Sequence, residues 1–200
     1  DPYQPIERRL GLTRRCLELL ADCRQPVGLI TKSALVARDV DLLAELARHD
    51  AANVSLTITT LDESLRRALA PRAATADARR DAVARLADRG VPVGVMVSPV
   101  IPGLTDHEIP RILQRAAEAG ARFAGFVMLR LPYGVAALFD GWLAEHAPAQ
   151  RTKVLGRLRD VRDGCRDAAR SGKRVRGESA LASLDLQMFH AARTRAGLAE

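Results

Sequence analysis

Four clusters of reactive or hydrogen-bonding side chains follow apolar, β-branched runs in this chain. They are Thr31-Lys32-Ser33, Thr57-Thr59-Thr60, Ser98 to Asp106, and Arg130-Leu131-Pro132-Tyr133. Lys32 is suited to hold a carboxylate or phosphate, or to form a Schiff base if its pKa is depressed; a solvated lysine at a helix entry has the same local sequence. The hydroxyls of Thr57 and Thr59 suit sugar hydroxyls, although threonine is also a common strand former on a partly wet face. Arg72, placed just after Pro71, suits pairing with an anion in the way many surface arginines do. Asp106, His107 and Glu108 resemble an acid–base group, but Asp106 reads more simply as a helix cap, with His107 and Glu108 in the first turn facing solvent. Tyr133, just past a strand end, is a catalytic candidate, and packing at the rim is the simpler reading. The four histidines are scattered and do not form a metal cluster.

These residues need a scaffold that brings them to one side. Apolar 3.6-residue periodicity marks helices over residues 7–24, 39–49, 61–69, 77–89, 107–119 and 135–146. Buried-strand runs occupy residues 27–30, 54–60, 91–97 and 124–131. In the second of these, Val54, Leu56 and Ile58 point one way and Ser55, Thr57 and Thr59 the other, which in a barrel is a polar lumen. Strand and helix alternate about four times with short connections, which calls for a parallel sheet with right-handed crossovers. No glycine-rich phosphate fingerprint follows the first strand, which argues against a dinucleotide fold. The expected fold class is therefore α/β, a partial (β/α) barrel, with its clusters on the C-terminal rim where such folds build their sites. After residue 147 the alternation stops. Two Arg-rich helical segments, near 149–171 and 178–196, flank the basic turn SGKRVRG at 171–177. Residues 1–147 thus read as the barrel portion and 148–200 as a helical C-terminal extension.

Composition sets outer limits. Of 200 residues, 48% are hydrophobic, enough for a sizeable core. The net charge of +7 permits nucleic-acid contact through Arg170, Lys173, Arg174 and Arg176, but no aromatic residues interleave there to stack on bases. Cys16, Cys23 and Cys165 match no zinc or redox spacing, and an odd count argues against a disulfide framework, so a reducing cytoplasm is expected. No apolar run is long enough to span a membrane, and no signal peptide is visible.

Several segments together carry a resemblance. DPYQPIE at 1–7, ITKS at 30–33, VSLTITTLD at 54–62, LAPRAAT at 69–75 and GVPVGVMVSPVIPGLTDHEI at 90–109 resemble radical S-adenosylmethionine (SAM) proteins, and among them the group related to spore photoproduct lyase. The resemblance runs over roughly residues 1–147. It implies SAM across the C-terminal rim, ligated to a [4Fe–4S] cluster whose electron cleaves SAM to a 5′-deoxyadenosyl radical that takes hydrogen from the substrate. It also implies cofactor-binding roles for ten residues. Asp1 and Tyr3 lie near the methionyl amine, Lys32 and Ser33 at the carboxylate, and Thr57 and Thr59 near the ribose. Arg72 is a second carboxylate partner, and Val100, Ile101 and Gly103 present their backbone to the adenine. The strand through Val127 and Leu131 closes the other side of the pocket.

The family's CxxxCxxC cluster loop and first strand are missing from these residues. Cys16 and Cys23, on a helix, do not replace that loop. The expectation is therefore the C-terminal portion of such a protein, inactive by itself in radical chemistry. Spore photoproduct lyase repairs a thymine dimer in DNA, so nucleic acid is one candidate among unknown substrates. Two other readings remain open: a β/α-barrel lyase or aldolase with Lys32 as Schiff-base nucleophile, and a nucleic-acid-binding module without catalysis.

Overall fold

Four parallel strands define the architecture in the computed structural model, which describes residues 1–168 and 180–199. Strand β1 (Val27–Thr31), β2 (Ala52–Ile58), β3 (Val93–Val100) and β4 (Phe123–Met128) lie side by side in sequence order. Leu29 pairs with Val54, Leu56 with Val95, and Val95 with Ala124. One face of the sheet is thus a band of Val54, Leu56, Val93, Val95 and Val97, each buried under helices. This is the open, helix-flanked parallel sheet of a partial α/β barrel.

The helices between strands follow from their apolar stripes. Helices α1 (Glu7–Leu10) and α2 (Leu12–Asp22) replace the single helix expected over 7–24. The break is Gly11, whose left-handed backbone (φ 61°) ends α1 and redirects the chain. A 3-10 turn over Ala34–Asp39 precedes α3 (Val40–Ala47). Helix α4 (Glu63–Leu69) starts where Asp62 accepts hydrogen bonds from the amides of Ser64 and Leu65, and α5 (Ala76–Ala87) where Thr75 accepts from Ala78. In α6 (Ile109–Glu118) the buried residues Ile109, Ile112, Leu113 and Ala116 recur at helical spacing and pack on β3.

Beyond β4 come α7 (Val135–His146), α8 (Arg151–Ala168) and α9 (Ala180–Arg195). The extension is not a detached tail. Helix α9 packs on α6, and Phe189 stacks on Phe126 of β4 with ring centroids 4.7 Å apart. The chain then returns to the sheet, where Ala199 bridges Phe123 in parallel. Helix α9 thus serves as the crossover helix of β4, and α7 and α8 form an excursion at the rim with their own small core of Ile101, Leu143, Ala147 and Val154. The basic turn at 171–177, with Arg170, lies outside the described residues, and so does the side chain of Cys165.

Candidate functional site

The C-terminal ends of β1 to β3 are laced together by side chains of the residues that follow them. The Asp1 carboxylate accepts from Thr31 Oγ1 at 2.7 Å, from the Lys32 amide at 2.8 Å and from the Tyr3 amide at 2.9 Å. It therefore pins the opening segment to the end of β1. Ser33 caps the 3-10 turn by accepting from the Leu35 amide at 3.3 Å. Thr59 donates to the Ser98 carbonyl at 2.8 Å, tying β2 to β3. Glu108 does not face solvent as expected from the sequence. It accepts from Thr60 Oγ1 at 2.5 Å and from the Leu61 amide at 2.6 Å, because the loop after β3 folds back over the end of β2.

Not all of the expected residues converge on this rim. The Tyr3 side chain is 3% exposed, turned into the core and donating to Asp39 at 3.1 Å. Burial, reinforced by the charge of Asp39, raises its pKa. Arg72 is exposed on the loop between α4 and α5. The Val100 and Ile101 side chains are buried in two different apolar clusters, and the Val100 carbonyl and the Ile101 amide and carbonyl are already hydrogen-bonded within the protein. Gly103 (φ 84°) sits under α8, where an added Cβ would meet Lys153 and Arg157 at 3.3 Å. Tyr133 is fully exposed with a left-handed backbone (φ 50°), beyond the end of β4. An open groove of about 900 Å³ between α4, the start of α6 and the α7–α8 corner is lined by Asp62, His107, Arg111 and His146, and by none of the ten expected residues.

Lys32 lies near Arg79, whose guanidinium is bonded to the end of β2, while the Ser33 hydroxyl serves its own 3-10 turn. Arg79 is 3% exposed. Its Nη1 donates to the Thr57 carbonyl at 2.6 Å and its Nη2 to the Ala74 carbonyl at 2.8 Å. Burial, aided by the charge of Arg66, pulls its pKa down to about 10. The Lys32 pKa is lowered as well, first by burial and then by the charge of Arg79. Sequence reasoning missed Arg79 because a charged residue is assigned to solvent by default. The available signal was its position: Arg79, Ala82, Val83 and Leu86 form the buried stripe of α5 at spacing i, i+3, i+4, i+7.

The loop after β3 is fixed from the other side. Asp106 is not a simple helix cap. Its carboxylate accepts from the Gly103 amide at 2.9 Å and from Arg157 Nη1 on α8 at 2.6 Å. Asp185 of α9, 9% exposed, is pushed up to about 6 by burial and then by the charge of Asp106, with Arg157 opposing. A carboxyl whose folded pKa lies above its unfolded value binds its proton more tightly when folded, so stability falls as pH rises from about 4 through 6. Asp185→Asn is therefore expected to stabilise the protein by about 1–2 kcal/mol at pH 8, with the gain vanishing near pH 4. Urea unfolding at the two pH values checks this; an equal gain at both would contradict it.

These groups fit part of a cofactor. A carboxylate fits the rim beside Lys32, where a buried nitrogen of Arg79 has no hydrogen-bond partner among the described residues. An iron–sulfur cluster does not fit the described residues. Among them no group of three His, Cys, Asp or Glu side chains is placed to hold a metal, and Cys16 and Cys23 are exposed away from the rim. Nor is any helix among the described residues long and apolar enough to cross a membrane.

Comparison with known proteins agrees with this architecture. Residues 6–116 match the model of the Radical SAM superfamily. An uncharacterized protein of Mycobacterium tuberculosis strain H37Rv is 32% identical over 163 residues, covering 80% of this chain and 47% of the relative. An uncharacterized protein of Methanocaldococcus jannaschii is 35% identical over 108 residues, covering 54% of this chain and 40% of the relative. A protein of Pseudomonas phage M6 named Radical SAM Nalpha-GlyT isomerase is 23% identical over 155 residues, covering 77% of this chain and 32% of that protein. The chain spans about half the length of the mycobacterial relative. No solved structure matches. With its family model covering more than half of its length, the chain belongs to the radical SAM superfamily.

Proposed function

We propose that this chain forms the SAM-binding portion of a radical SAM enzyme of the group related to spore photoproduct lyase. The observation that carries the reading is the rim beside β1. There the DPYQPIE segment is fastened by Asp1 to Thr31 and to the Lys32 amide, and the Lys32 ammonium, beside the end of β2, forms no ion pair among the described residues. Lys32 and Ser33 hold the methionyl carboxylate, Thr57 faces the ribose, and the backbone of residues 100–103 walls the adenine. Asp1 orders the loop that carries Lys32. Thr59 and Glu108 keep the ends of β2 and β3 in register, so the two walls of the pocket move as one body. Tyr3 and Glu7 act from the core, as anchors of the opening segment.

When bound, the family's pair of SAM and [4Fe–4S] cluster supplies hydrogen-atom abstraction, the chemistry that protein side chains lack. The work of this chain's own residues is to bind, orient and exclude water. The cluster's ligands do not lie among the described residues, so no step of that chemistry is assigned to them. The division into a barrel portion over 1–147 and an extension over 148–200, with the extension's α8 covering the adenine wall, is part of the same proposal. The substrate is an organic molecule with an abstractable hydrogen; nucleic acid is the class carried by the group resemblance. The phage relative's name adds isomerisation as a reaction type for the family.

S-adenosylhomocysteine, which keeps the carboxylate and adenosine of SAM without its reactivity, is expected to bind this chain one to one. Lys32→Met should weaken that binding by about tenfold, the loss of one charge-assisted contact. Calorimetric titration reads both numbers. Absence of saturable binding at millimolar ligand, or binding indifferent to Lys32→Met, would overturn the reading.

A further inference from the structure

The rim between β1 and β2 holds two cations, Lys32 and Arg79, that form no ion pair among the described residues; the Asp1 carboxylate beside them is engaged by the Lys32 amide and Thr31. A buried guanidinium is ordinarily held by a carboxylate, because an unpaired charge costs several kcal/mol to desolvate. Arg79 has only the carbonyls of Thr57 and Ala74, and its Nε is buried with no hydrogen-bond partner among the described residues. Arg66, whose charge Arg79 feels, is already neutralised by Glu63 at 2.7 Å. Lys32 is half-buried and forms no ion pair among the described residues. The unsatisfied charge therefore lies on Arg79 and Lys32 together.

We propose that Arg79 is a positioning residue for a ligand carboxylate held by Lys32. It anchors the end of β2 and the loop before α5 from below the rim, and its uncompensated charge completes the anion site. This rests on the SAM reading above and extends it to a residue that does not touch the ligand. Two of its nitrogens are committed to carbonyls, so its action runs through the place of Thr57 and through the field at Lys32. Without an anion the two cations repel each other in a poorly solvated setting; an anion relieves both, so each cation raises the anion affinity of the other. The ligand chemistry it selects is the amino-acid carboxylate, and not the nucleoside.

Two nucleosides separate these contributions. S-adenosylhomocysteine carries the carboxylate, and 5′-methylthioadenosine keeps the adenosine and lacks it. Arg79→Met is expected to weaken S-adenosylhomocysteine at least tenfold and methylthioadenosine less than twofold, while Arg79→Lys stays within threefold of the parent for both. Arg79→Gln, which retains an amide donor for Thr57, is measured in parallel in case the methionine variant does not fold. Equal weakening of both ligands would mark Arg79 as merely structural and overturn the proposal, as would unchanged S-adenosylhomocysteine binding. If the parent chain binds neither nucleoside, the SAM reading fails and thermal unfolding in acetate against chloride at equal ionic strength decides the anion site. A rise in melting temperature that is lost in Lys32→Met and in the Arg79 variant that folds sustains the proposal. No rise in the parent overturns it.

Discussion

Asp39→Ala is expected to lower the unfolding free energy by about 3–5 kcal/mol, the cost of breaking a buried ion pair from one side. The Asp39 side chain has no exposed surface, and three partners converge on it. Arg38 donates through Nε at 2.8 Å and Nη2 at 2.7 Å, Arg14 through Nη1 at 3.1 Å, and Tyr3 through its hydroxyl at 3.1 Å. Arg38 also reaches Glu7 at 2.9 Å, and Glu7 is itself buried. Removing the carboxylate leaves a buried hydroxyl unpaired and Arg38 half-paired. Asp39→Asn keeps an acceptor and should cost about half as much. Tyr3→Phe, which removes a single hydrogen bond, should cost about 1 kcal/mol. Urea unfolding measures all three, and a loss below 1 kcal/mol for Asp39→Ala would show that the network adds little. Because Tyr3 and Glu7 are the core anchors of the DPYQPIE segment, the same variant should also loosen Asp1 from Lys32 and weaken S-adenosylhomocysteine binding.

Gly94→Ala should be comparably damaging, at about 3 kcal/mol or more, the upper end for overpacking a rigid site. A Cβ at Gly94 would lie 2.3 Å from Cδ2 of Phe123 and 2.4 Å from the Phe123 carbonyl oxygen. The ring can rotate aside, but the carbonyl belongs to the strand paired with Gly94 and has nowhere to go. The variant must therefore push β4 away from β3. Adding Phe123→Ala to Gly94→Ala removes the ring contact and leaves the backbone contact, so the double variant should recover little of the loss attributable to Gly94. Full recovery would show that the ring alone sets the constraint.

Much of the architecture could be read from residue order. Helix α7 spans the residues that its apolar pattern marks. Strand β3 departs from expectation by running on through Pro99 to Val100. The proline falls where the register with β4 shifts, so its missing amide costs no ladder bond, and pairing resumes with the Leu129 amide donating to the Val100 carbonyl at 2.8 Å. The rim was legible as a place but not as a set of contacts. Asp1 and Lys32 meet only because the chain runs out through α1 and α2 and returns along β1 to the segment it started from. Tyr3 and Asp39, far apart in sequence, meet inside the fold, and their side-chain types alone do not announce it. Arg79 escaped because its burial depends on two carbonyls that only the folded loop presents.

The return of the chain to the sheet at Ala199 has a kinetic consequence. Each of the three pairings among β1 to β4 joins neighbours in sequence, so each can form after closing a short loop. The bridge from Phe123 to Ala199 must instead close over α7, α8 and α9 together. Loop-closure entropy rises by about 0.6 kcal/mol for each doubling of length. That edge should therefore zip last on folding and open first in native-state hydrogen exchange, with the amides of Ala124 and Ala199 exchanging ahead of those in the centre of β2.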